Sequence, residues 1–186
     1  MNFFPTDFLK NFMTIAQAGL RDWGSLHPLI IHFPLVLLCI APAFILLGII
    51  YVKSLRAFCL CSLLLLWLGT AAIFLAVETG EAASKHLNPN SETMDTLITH
   101  ANLADQSRLI FIVLTILWTL YVAFLLPPSG PVVGIRRGLL ALFLLGYFYG
   151  LVFLLSTAHY GGKLVHHHGI HSNLYENPRS LRLPYK

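Results

Sequence analysis

The sequence predicts an all-α integral membrane protein: a four-helix bundle whose helices extend beyond the membrane on a histidine-rich side, with a short N-terminal interfacial helix. Three observations predict it. Hydrophobic residues make up 56% of the 186 residues and charged ones 11%, with a mean hydropathy of +0.72. The apolar residues gather in four runs, 28–51, 57–77, 109–126 and 138–158. None of the runs contains Asp, Glu, Lys or Arg, and each is near the roughly 20 residues that carry a helix across about 30 Å of hydrocarbon.

The elements follow in chain order. Residues 1–26 lack the basic start, compact apolar core and small-residue cleavage site of a signal peptide. Phe8, Leu9, Phe12, Met13, Ala16 and Leu20 instead recur at helical spacing, which suits a short helix lying in the membrane interface or packed on a partner. Residues 27–169 form the transmembrane domain. Pro34 and Pro42 fall in the first run, where membrane helices tolerate kinks. The second helix continues into ETGEAASKH; the third starts at Asn88-Pro89, with Asn88 as its cap. The fourth runs past His159 to His168, where Gly169 offers a stop. Residues 170–186 read as an irregular tail.

Charge sets the expected orientation. The loops carrying Lys53 with Arg56, and Arg136 with Arg137, hold no acidic residue, whereas all eight acidic residues lie on the other side. The positive-inside rule makes those loops cytoplasmic, with both termini periplasmic and the chain in the inner membrane. Nucleic-acid binding finds no support. Cys39, Cys59 and Cys61 lie in apolar runs and read as lipid- or core-facing thiols; without a CxxCH, covalent c-type haem attachment is excluded.

All nine histidines fall at the acidic end of the bundle: His27, His32, His86, His100, His159, His166, His167, His168 and His171. Imidazoles gathered beside a low-dielectric slab suit haem or metal ions. Measured by helical rise, His32 sits ~6 Å inside the first apolar boundary, His27 and His159 at the boundary, His100 ~13 Å outside it and His168 ~15 Å outside it. Two tiers are therefore expected. The lower holds His32 and His159, with His27 nearby; the upper holds His100 with His168 or His166. His86 and His171 are assigned to the interface. His32, inside an apolar run, needs a partner: a backbone carbonyl, Thr79, Glu78 or iron. Arg108, Arg21 and Lys163 are candidates for haem propionates. Gly146 and Gly150 form a GxxxG that signals close helix packing.

The stretch HPLIIHFPLVLL at 27–38 resembles the opening HPxxxHFP of domain-of-unknown-function family twenty-two thirty-one. Thr79-Gly80, His100 in THANLA, and GGKLVHHHG at 161–169 are similar to further family segments, the last placing the family histidine at His168. The acidic residue that often follows the third-helix histidine is Ala101 here, and His166 and His167 are additional. Members of that family look like four-helix b-type cytochromes and occur beside c-type cytochromes or other redox modules. The resemblance implies electron transfer with such partners.

Three functions are compatible with these residues. The first is a b-type cytochrome with bis-histidine haem b, one haem or two if both tiers are filled, serving as an electron-transfer subunit rather than a stand-alone enzyme. The second is a cofactor-free assembly or anchoring subunit. The third is a copper or zinc site built from His32, His159, His100 and His168, although no Met-rich or Cys-rich segment favours copper. Transport is disfavoured by the absence of charge deep in any span, and hydrolysis by the lack of a nucleophile–base–orienter set.

Overall fold

Four helices long and apolar enough to cross a membrane organise the chain: Trp23–Ile50, Val52–Ser84, Ser91–Leu125 and Ile135–His166. They are called here the first to fourth spans. The computed structural model describes residues 22–85, 87–126 and 131–170, together with Leu9, Lys10, Met13, Gln17 and Gly19. Those five positions are helical; the rest of the expected N-terminal helix, Arg21, His86, His171 and the tail beyond lie outside the described residues.

At 28 to 35 residues, the spans are ~42–52 Å long, longer than the hydrocarbon requires, and the excess lies largely on the histidine side. Each span packs on its chain neighbours, and the first also meets the fourth, giving an up-down-up-down bundle. At most 33% of each span's most apolar window is buried. The outward surface is nonetheless apolar: Leu64, Leu109, Leu142, Leu145 and Val152 are all exposed. A helix that is hydrophobic all round needs lipid as its outer solvent.

The first span shows what its prolines do. Its helix is interrupted at Ile31, between His27–Ile30 and His32–Ile50, because Pro34 has no N–H for the Ile30 carbonyl. Pro42 stays inside the helix and leaves the Leu38 carbonyl without its helical donor. The Tyr147 hydroxyl of the fourth span fills that role at 2.7 Å. Other buried polar groups are also paired across the bundle. Trp118 Nε1 donates to Ser62 Oγ at 3.0 Å, and Thr70 and Thr115 share a 2.7 Å hydrogen bond. Among the described residues, no buried side-chain nitrogen or oxygen lacks a partner.

Close approaches fall at glycines. A Cβ on Gly150 would come within 2.9 Å of Ile110 and 3.1 Å of Leu114, so the GxxxG seats the fourth span on the third. Cys59 is buried, Cys39 and Cys61 are exposed, and all three are free.

Two expected boundaries move. The third helix begins at Ser91, not Pro89, and its cap is Asn90, whose side chain accepts from Thr93 N at 2.8 Å. Starting there places Glu92 in the first turn, where its charge complements the helix dipole. The fourth helix ends at His166; Gly169 has φ +67°, and Ile170 N donates back to the Leu164 carbonyl at 3.1 Å. The glycine stop therefore stands, with His167 and His168 in the turn before it.

Candidate functional site

The site is built where the start of the first span meets the second and third. Asp22 accepts from Gly24 N at 3.1 Å and initiates a short 3-10 turn, Trp23–Leu26. Gly24 lies so close to the second span that a Cβ would be 2.6 Å from Ala83 N. That docking fixes the level at which the next residue, His27, meets the bundle.

His27 Nδ1 lies 3.2 Å from Thr79 Oγ1 on the second span. The Thr79 hydroxyl gives its single proton to the carbonyls of Leu75 (2.8 Å) and Ala76 (3.1 Å). It must therefore accept from His27, which assigns the proton to Nδ1 and leaves the Nε2 lone pair free in the neutral ring. His100 Nδ1 lies 2.9 Å from the Thr157 carbonyl of the fourth span. A carbonyl only accepts, so the same tautomer follows. Neither Nε2 makes a hydrogen bond among the described residues. The two rings meet edge to face, with centroids 6.4 Å apart and planes at 83°. Both are half-buried.

A glycine stands beside each ring. A Cβ on Gly80 would be 3.0 Å from His27 Cε1, and one on Gly161 would be 3.1 Å from His100 Cε1. Each histidine thus has a threonine group fixing its tautomer and a glycine one helix position or one turn further on.

This arrangement overturns the expected two tiers. His27 and His100 were assigned to different levels and are in contact. The depth ruler assumed that every apolar run starts in one plane. On the third helix the run starts late, and the polar stretch before it packs beside apolar parts of other spans. Ser107 is buried 3.2 Å from Thr157 Oγ1, and the Arg108 guanidinium lies 5.8 Å from the Phe74 ring centre. His168 does not join His100. Its Nδ1 is 3.2 Å from Thr93 Oγ1 and its Nε2 is 3.0 Å from Thr96 Oγ1, residues ~6–10 Å along the third helix from His100. No hydrogen bond or ring contact joins His32 to His159 among the described residues. Both are exposed, and His159 instead contacts Tyr160. His32 thus lies on the outer surface of the first span, close enough to its end for the imidazole to reach towards the interface.

The remaining candidates take separate places. His159, Gly162, Lys163, His166 and His167 line an open groove of about 500 Å³ on the fourth span. Arg108 is bound to Asp105 at 2.7 Å. The sequence reading missed Thr157 as a neighbour of His100, and Thr93 and Thr96 as partners of His168. Thr79-Gly80 was the visible signal.

A four-helix membrane bundle with a histidine pair at one end is the class these features define. The family model described as "Predicted membrane protein (DUF2231)" matches residues 24–174, and the chain belongs to that family. No curated protein and no solved structure matches the chain.

Proposed function

We propose that the protein is a membrane-embedded b-type cytochrome whose haem is held by His27 and His100. One observation carries the reading: two neutral imidazoles from different spans, each with Nδ1–H engaged and Nε2 free, with ring centroids 6.4 Å apart. Metal-binding histidines characteristically donate their second ring N–H to an oxygen acceptor, which fixes the ring and raises its basicity. Metal–imidazole bonds of about 2 Å in a linear pair put the ring centroids ~6 Å apart. The ring spacing is close to that value, which supports the reading.

Haem, held by His27 and His100, would supply a one-electron couple, and with both histidines engaged on the iron electron transfer would be favoured over oxygen chemistry. The chain's own residues set the rest. Thr79 and the Thr157 carbonyl orient the rings, and Gly80 and Gly161 keep bulk away from them. The apolar bundle below lowers the local dielectric. By the positive-inside rule the pair lies at the periplasmic face of the inner membrane, with both termini on that side. There it would exchange electrons with a c-type cytochrome or another redox subunit of a larger complex.

The test is a reduced-minus-oxidised visible spectrum of detergent-purified protein with pyridine-haemochrome quantification. A b-type alpha band at about one haem per chain, lost in both His27→Ala and His100→Ala and kept in His32→Ala and His159→Ala, is expected. A featureless spectrum from folded protein isolated with its native partners overturns the reading.

One observation favours the cofactor-free alternative. His27–Thr79 joins the first and second spans, and His100–Thr157 joins the third and fourth. The same bonds would serve an anchoring subunit as clamps. In that case His27→Ala and His100→Ala lower the melting temperature and no haem signal exists to be lost.

A further inference from the structure

Above the histidine pair, the top of the bundle brings together a second set of donors that the cytochrome reading does not use. Glu92, His167 and His168 each offer one ligand atom, and these atoms all lie within 4.8 Å of one another. We propose that these three residues form a binding site for a divalent transition-metal ion of the zinc–copper class, separate from the His27–His100 pair.

His168 is the least exposed of the three. Thr96 Oγ1 donates to the Glu92 carbonyl at 3.2 Å, so it accepts from His168 Nε2–H at 3.0 Å. The lone pair then resides on Nδ1, where the Thr93 hydroxyl donates at 3.2 Å. This is again the arrangement of a ligating histidine, with one nitrogen anchored to an oxygen and the other available. A metal would displace one hydrogen bond, that from the buried Thr93 hydroxyl.

The other two donors are exposed and free to turn. His167 packs against His168 with ring centroids 4.7 Å apart, and Glu92 occupies the first turn of the third helix. A tetrahedral ion with bonds of about 2 Å holds its ligand atoms ~3.3 Å apart, so rotation of these two side chains closes the cluster. Water completes the fourth position.

Helix dipoles act in opposite directions here. The carbonyl end of the fourth helix favours a cation, whereas the N-terminus of the third disfavours one. The Glu92 carboxylate tips the balance toward the cation. Two imidazoles and one carboxylate select zinc or copper(II) over magnesium or calcium, which prefer all-oxygen shells.

The experiment is titration of Zn²⁺ into detergent-purified full-length protein with a tag that contains no histidine, followed by competition with a chromophoric chelator. Co²⁺ substitution reports tetrahedral geometry through its visible bands. One ion per chain is expected, with affinity weakened about tenfold or more by Glu92→Gln, His167→Ala and His168→Ala. Glu92→Gln is exposed and keeps the helix N-terminus, so its loss of affinity cannot be ascribed to misfolding. His159→Ala and His32→Ala should bind as the wild type does, which separates this site from the groove and from the other histidines of the bundle end. Absence of stoichiometric binding, or equal affinity in Glu92→Gln and wild type, overturns the proposal. Loss in His159→Ala with retention in Glu92→Gln also overturns it, by moving the ion to the groove.

Discussion

The Tyr147 hydroxyl donates a 2.7 Å hydrogen bond to the Leu38 carbonyl, the acceptor that Pro42 deprives of its helical N–H. The bond ties the fourth span to the first at a point where Leu38 and Tyr147 are both fully buried. Proline is tolerated in membrane helices where a neighbouring group re-satisfies the freed carbonyl, and here that group is a phenol 109 residues away.

Removing the phenol oxygen should therefore cost more than an ordinary membrane hydrogen bond. Side-chain bonds in bilayers average well under 1 kcal/mol because the unfolded state also finds partners. Tyr147→Phe strands a buried carbonyl, so about 1–2 kcal/mol of destabilisation is expected. Pro42→Ala restores the helical N–H, and Tyr147→Phe in that background should lose most of its effect. The coupling is measured by a double-mutant cycle on unfolding in detergent. Additive effects would show that Tyr147 acts by packing alone.

Thr79 is expected to act on haem binding through His27, whose tautomer it fixes. Thr79→Val removes the acceptor and should weaken haem retention by about 10- to 100-fold. Thr79→Ser keeps the hydroxyl and should restore it. The readout is haem per chain after gel filtration, alongside the reduction potential. Equal haem content in Thr79→Val and Thr79→Ser would dissociate the threonine from the site.

The two glycines beside the rings invert an ordinary expectation. Replacing a helical glycine by alanine usually stabilises by about 0.5–1 kcal/mol. At Gly80 and Gly161 the new methyl would lie 3.0 and 3.1 Å from an imidazole carbon and press on His27 and His100. Both variants should lose haem, whereas Gly138→Ala, which meets nothing within 4 Å, should keep it and gain slightly in stability. The check is absorbance per chain and melting temperature for the three variants. Full haem occupancy in all three would mean that the rings have room to move.

These residues also mark what the sequence disclosed. Length and polarity were enough for four spans, because a run of about 20 apolar residues has few other uses. Gly169 was readable as a stop because a left-handed residue at a helix end favours glycine. The histidine pairing was not readable. It depends on the axial offset between helices, and the mixed segment 101–108, with Asn102, Asp105, Gln106, Ser107 and Arg108, shifts the third helix against the apolar boundary used as a ruler. Ser107 buried against Thr157 is the local reason. Tyr147 was equally silent, since nothing near Pro42 in the chain names the group that answers the Leu38 carbonyl.

Orientation is a separate prediction, argued from charge alone. The loops with Lys53 and Arg56, and with Arg136 and Arg137, have no acidic residue to offset them, and short basic loops stay cytoplasmic. Glu92, next to the cap of the third helix, then faces the periplasm. A membrane-impermeant maleimide should label Glu92→Cys in intact cells and Lys53→Cys only after permeabilisation. The native Cys39, Cys59 and Cys61 lie within the spans, where a membrane-impermeant reagent does not reach, so the background should be low. Labelling of Lys53→Cys in intact cells, with Glu92→Cys protected, would invert the topology and place the His27–His100 pair on the cytoplasmic side. The proposed electron exchange would then belong to that side.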